Sequence, residues 1–108
     1  MENTTAEQKM SVLLVDDDKG ILFTLQKLVE KNFPNLNIYT ANSGQQGLEM
    51  TIAKHPAIII SDFSMPIMNG MEFLKRLRSN KEFDDIFFGD IKSPCLTLSI
   101  PYIRNAVA

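Results

Sequence analysis

The sequence predicts a parallel α/β domain whose sheet is covered by helices on both faces. Two short runs, Ser11–Val15 (SVLLV) and Ala57–Ile60 (AIII), are apolar without alternation, as strands buried on both sides must be. Both stop abruptly at acids, Asp16-Asp17-Asp18 in one case and Ser61-Asp62 in the other. Segments with helical spacing of apolar residues separate the strand-like runs. The resulting order β-α-β-α-β-α implies right-handed crossovers and parallel pairing.

Residues 1–10 are polar and unpatterned, the composition of a disordered tail. After the first strand, Ile21, Leu22, Leu25, Leu28 and Val29 recur at helical spacing, which predicts a helix from about Lys19 to Asn32. Asp18 suits its N-cap, because a carboxylate satisfies unpaired backbone donors and the positive helix end. Phe33-Pro34-Asn35 breaks the helix, and Asn37–Thr40 reads as a short strand. A second helix over roughly Gln45–Lys54 turns Leu48, Ile52 and Ala53 inward and ends at His55-Pro56. Past the central strand, Pro66 and Asn69-Gly70 delay helix formation. Met71, Phe73, Leu74 and Leu77 then mark a third amphipathic helix to about Ser79. Asn80–Asp90 mixes charge with Phe83, Phe87 and Phe88 in no clean period. Cys95–Ile100 (CLTLSI), following Ser93-Pro94, reads as a fourth strand, and Tyr102–Ala108 as the start of a helix. This leaves no residues for a fifth βα unit.

Composition narrows the functional classes. With 108 residues, 44% hydrophobic and 22% charged, the chain is one globular domain. A net charge of −2 gives the domain no reason to grip nucleic acid or an anionic membrane. The single cysteine, Cys95, excludes an intrachain disulfide, and no Cys/His cluster has zinc-site spacing. With neither a signal peptide nor a long apolar span, the expected location is the cytoplasm.

The chemistry lies in the acids. If the first and third strands are neighbours, their carboxyl ends bring Asp16, Asp17 and Asp62 into one pocket, at the edge where open α/β sheets bind ligands. Crowded carboxylates repel, and one would be protonated unless a cation is present. Carboxylate, carbonyl and water oxygens suit Mg²⁺, or Mn²⁺. A carboxylate beside such an ion can act as a nucleophile toward phosphorus and form an aspartyl phosphate. Elsewhere the bland reading is preferred. Asp18 is a cap, His55 an exposed helix-end residue, Met65, Met68 and Met71 packing, and Lys75, Arg76 and Arg78 a solvated face.

The segments VLLVDDDKG and IIISDFSMPIMNGMEFLKRLR resemble the receiver domain of two-component response regulators, over about Ser11–Ser79. The resemblance implies a flavodoxin-like doubly wound sheet, order 2-1-3-4-5, across residues 11–108, with 80–108 atypical and the fifth βα unit missing. By position it makes Asp62 the phosphoacceptor and Asp16 and Asp17 the acidic pair holding Mg²⁺. Ser64 becomes the residue whose backbone carbonyl completes the metal site. The family also uses a Ser or Thr at the end of strand four and a Lys at the end of strand five. One register makes Ser99 that hydroxyl and has no lysine. A rival makes Lys92 the lysine, with Ile103–Val107 ending helix five, but it loses strand four and sets Pro101 in a helix. A third reading places everything after Ile86 outside the family.

The expected function is therefore Mg²⁺-dependent transfer of a phosphoryl group from a histidine kinase to Asp62, a signalling switch rather than a metabolic enzyme. The alternative is a degenerate receiver serving as an interaction or dimerisation module. A Mg²⁺-dependent phosphatase with an aspartyl nucleophile would place a second acid two residues after the first, where this chain has Ser64. An unfinished sheet leaves apolar surface uncovered, so a homodimer or larger assembly is expected.

Overall fold

A computed structural model describes residues 10–91. The elements are β1 (Ser11–Val15), α1 (Lys19–Asn32), β2 (Asn37–Ala41), α2 (Gly44–Lys54), β3 (Ile58–Ser61), α3 (Gly70–Arg78), a 3₁₀ turn (Lys81–Phe83) and β4 (Phe87–Asp90). All strands pair in parallel, in the order β2-β1-β3-β4. Among the described residues there is no fifth βα unit.

The unalternating apolar strands have the predicted cause. Val12, Leu14, Ile58 and Ile60 point into one hydrophobic cluster with Leu22, Phe33 and Leu36. Leu13, Val15 and Ile59 point into the other with Met65, Met68, Phe73, Leu77 and Phe83. Phe73 is fully buried at the centre of the second cluster and meets Phe88 edge-on, with ring centroids 5.3 Å apart.

Strand four is a correction. It is Phe87–Asp90, not Cys95–Ile100, which lies outside the described residues together with the tail 1–9 and everything past Ile91. The strand escaped detection because it has four residues and Phe87 and Phe88 pack into opposite clusters. Gly89 and Asp90 then cut the apolar run short.

The inward face of α2 is also corrected. Leu48 packs against the core as expected, but Ile52 is 71% exposed and Ala53 is exposed, and the buried residues of the helix are Gly44, Gly47 and Thr51. Small residues are required there. A Cβ on Gly47 would come within 2.9 Å of the Phe73 ring, and the Thr51 hydroxyl is satisfied by the Gly47 carbonyl at 2.8 Å. Of the apolar residues in α1, only Leu22 is buried.

Arg78 departs from the solvated-face reading too. Its guanidinium donates to the carbonyls of Phe83 and Ile86, both at 2.7 Å, and so ties the end of α3 to the approach to β4. Arg76, by contrast, pairs with Glu72 at the surface. His55 is exposed and closes α2 in the left-handed region (φ 45°).

Candidate functional site

Chain reversal places the site. From β1 the chain crosses to β2 on one side, and β3 joins β1 on the other, so the carboxyl ends of β1 and β3 flank the switch point of the sheet. The register pairs Val15 with Ser61, and the Asp62 amide donates to the Val15 carbonyl at 2.9 Å. The next residue on each strand is an acid. Asp16 and Asp62 are thus adjacent by strand pairing, and Asp17 joins them at the start of the following loop. One carboxylate oxygen from each of the three lies within 4.8 Å of the other two.

The three acids differ in environment. Asp16 has no exposed surface and Asp62 only 3%, whereas Asp17 is exposed. Asp16 Oδ1 accepts the Asp18 amide at 2.9 Å, while its Oδ2 is buried with no hydrogen-bond partner among the described residues. Burial raises the Asp16 carboxyl above its ordinary value. The Asp18 amide opposes that shift, and the charges of Asp62 and Asp17 add to it. Asp62 Oδ1 accepts the Ser64 amide at 3.0 Å, which turns the exposed Ser64 backbone back over the acid. Asp18 caps α1, its carboxylate accepting from Gly20 and Ile21.

A buried carboxylate oxygen without a donor, beside two further carboxylates, fits a hard divalent cation. Such an ion would neutralise the repulsion and satisfy the orphaned oxygen together. Asp16, Asp17 and Asp62 would supply the carboxylate oxygens to it.

The loop after Asp62 is strained. The Met68 amide reaches back to the Pro66 carbonyl at 2.7 Å, closing a γ-turn centred on Ile67. Ile67 is β-branched, fully exposed and held at φ 68°. Met65 and Met68 anchor the loop by burial. Gly70 sits so close to Phe63 that a Cβ would lie 2.7 Å from its Cα. Together with Asp17 and residues 42–45, residues 65–68 line a cavity of about 300 Å³ beside the acids. Sequence reasoning missed this cavity, although Pro66 and Asn69-Gly70 marked its loop.

At the opposite wall, β4 brings no hydroxyl. Its register pairs Ser61 with Asp90, and the Ile91 amide donates to Ser61 at 3.0 Å. The register that gave Ser99 the hydroxyl role is corrected with strand four, and Ser99 itself lies outside the described residues.

A parallel sheet in the order β2-β1-β3-β4, with an acidic cluster at its switch point, is the architecture of a flavodoxin-like doubly wound fold. The profile of the response regulator receiver domain matches residues 12–89, and the chain belongs to that family. It is 31% identical over 90 residues to the cell cycle response regulator CtrA of Brucella ovis and equally to that of Brucella anthropi. Those alignments cover 83% of this chain and 34% of the relatives, so the chain spans about a third of their length. A two-component response regulator from Legionella pneumophila superposes with a TM-score of 0.73 at 25% identity, covering 91% of this chain and 99% of that one. The chemotaxis response regulator CheY4 of Vibrio cholerae has the same fold (TM-score 0.71, 24% identity, 89% and 81% covered). No helix of the described residues is long and apolar enough to cross a membrane.

Proposed function

We propose that this receiver domain accepts a phosphoryl group on Asp62 from the phosphohistidine of a histidine kinase, with Mg²⁺ held by Asp16, Asp17, Asp62 and the Ser64 carbonyl. An Asp62 carboxylate oxygen attacks phosphorus, the P–N bond breaks, and the imidazole departs as a neutral base after taking up a proton. Bound Mg²⁺ supplies Lewis-acid neutralisation of the phosphoryl oxygens. Asp16 and Asp17 hold the cation, and the Ser64 amide holds Asp62 in orientation through Oδ1. The observation that carries this reading is the buried, undonated Asp16 Oδ2 within a cluster of three carboxylates. Incubation with Mg²⁺ and acetyl phosphate should add one phosphoryl group at Asp62, and beryllium fluoride should occupy the same site. An unlabelled but folded protein, or labelling that survives Asp62→Asn, overturns the proposal.

One observation favours a second reading. None of the β4 residues Phe87–Asp90 carries a hydroxyl or a cationic side chain to donate to a phosphoryl oxygen. On this reading the acidic pocket binds the cation and the domain serves as an interaction module. Mg²⁺ binding without acetyl phosphate labelling would select it.

A further inference from the structure

Strand β3 runs Ile58, Ile59, Ile60, Ser61, and its last residue is the exception: a side chain with a hydroxyl and no exposed surface, in a strand otherwise made of isoleucine. Ser11 and Thr40, the other serine and threonine of the described strands, are only partly buried. Alternation puts Ser61 on the face of Ile59, and the register sets it beside Val15, both members of the cluster around Phe73. An aliphatic residue there would avoid the cost of burying a hydroxyl. The hydroxyl stands in spite of that cost, and its partner gives the reason.

Ser61 Oγ donates to the carbonyl of Asp62, the next residue, at 3.0 Å. Asp62 is held at two further points. Its amide donates to the Val15 carbonyl at 2.9 Å, and its Oδ1 accepts from the Ser64 amide at 3.0 Å. One peptide further on, the Phe63 carbonyl accepts from the Gly70 amide at 3.1 Å. Of these bonds, the one from Ser61 grips the peptide plane between Asp62 and Phe63, where the chain leaves the strand for the loop. That plane sets ψ of Asp62, and with it the direction from which Ser64 reaches back to the carboxylate.

We propose, on the phosphoacceptor reading of Asp62, that Ser61 is a positioning residue for phosphoryl transfer: its buried hydroxyl fixes the backbone that aims the acceptor carboxylate. The hydroxyl takes no part in bond making or proton transfer and acts through Asp62 alone. An in-line attack tolerates little misdirection, and a displacement of about 1 Å can cost roughly a hundredfold in rate. Loss of the Ser61 anchor, with the amide and Oδ1 bonds kept, should cost less than that. Cation binding is shared among three carboxylates and bound waters, so it should change little.

The test compares Ser61→Ala, Ser61→Cys and Ser61→Thr with the wild type. Cysteine fills the space of serine but donates weakly, whereas threonine keeps the hydroxyl on a residue that suits a strand. Two quantities are measured on the whole chain: the rate constant of acetyl phosphate labelling at saturating Mg²⁺, and exchange of the Ser64 amide in EDTA, where no labelling chemistry enters. Ser61→Ala and Ser61→Cys should label about tenfold more slowly, with the Kd for Mg²⁺ within about twofold of the wild type. Their Ser64 amide should exchange several-fold faster. Ser61→Thr should restore both. Should Ser61→Ala show no urea transition, the cysteine and threonine variants carry the comparison. Wild-type labelling by Ser61→Cys would assign the position to packing and overturn the proposal. A folded threonine variant as slow as cysteine, or a deficit accounted for by weaker Mg²⁺ binding, would overturn it too. A wild type that takes no label overturns the phosphoacceptor reading and this one with it, whereas equal labelling of wild type and Ser61→Ala overturns this one alone.

Discussion

Replacing Asp16 by Asn should stabilise the metal-free domain and abolish its response to Mg²⁺. The substitution keeps the side-chain oxygen that accepts the Asp18 amide and removes a buried negative charge. Two carboxylate oxygens 4.8 Å apart, the outer bound for Asp16 and Asp62, repel by about 3.5 kcal/mol at an effective dielectric constant of 20. Asp16 is buried but sits at the rim of the sheet, so solvent relaxation lowers the net gain to about 1–2 kcal/mol, or roughly 5–10 °C in Tm for a domain of this size. The sign of the pH dependence follows from the raised carboxyl. A folded-state value above the ordinary 3.8 means that the native state holds the proton more tightly than the unfolded chain. That stabilisation is complete below the ordinary value and is lost as pH rises through the folded one. The advantage of Asp16→Asn should therefore widen from acid toward neutral pH in EDTA. Added Mg²⁺ should reverse the ranking, because the wild type gains about 2.7 kcal/mol at a hundredfold excess over Kd and the variant gains little. Urea denaturation in EDTA and in Mg²⁺ measures both arms. A variant less stable than wild type in EDTA at neutral pH would refute the electrostatic reading of the pocket.

Three further outcomes are expected. Gly70→Ala should cost about 1–3 kcal/mol by denaturation, because its Cβ meets the Phe63 backbone rather than a movable side chain. A cost below 0.5 kcal/mol, on the order of a neutral surface change, would show that the loop yields. Arg78→Ala should lose about 2 kcal/mol by uncovering the Phe83 and Ile86 carbonyls, with Arg78→Lys recovering only part; full recovery by lysine would contradict the forked contact. Ile67→Gly should raise stability by about 0.5–1 kcal/mol by relieving φ 68° at a solvent-exposed position, and a loss of stability would mean that the Ile67 side chain supports the turn.

Much of the fold could be read from the residues. The buried strands β1 and β3, the helices α1 and α3 and the Asp18 cap follow from uninterrupted apolar runs, helical spacing and an acid immediately before a helix. The meeting of Asp16, Asp17 and Asp62 follows from strand neighbours alone. What escaped was governed by tertiary packing. Gly47 and Thr51 form the inward face of α2 because Phe73 fills the space above the sheet, a fact that no hydropathy pattern in α2 carries. Strand β4 is too short and too mixed for any periodic signal, and Arg78 acts through two backbone carbonyls several residues away. Ile67 looked like an ordinary loop residue, and only the γ-turn marks it as strained.

Several unfavourable features of the described residues gather at one end of the sheet. The undonated Asp16 oxygen, the crowding of three carboxylates, the γ-turn at Ile67 and the Gly70 close approach all surround the carboxyl ends of β1 and β3. Below that rim the two hydrophobic clusters are continuous, and their strand residues are almost entirely buried. The concentration of these features above the best-packed part of the sheet means that the rigid floor holds the acids together against their own repulsion. A softer floor would let Asp16 and Asp62 move apart and so remove the need for a counterion. The packing of Val15 and Ile59 beneath the acids is for this reason as much a part of the proposed cation site as the carboxylates themselves.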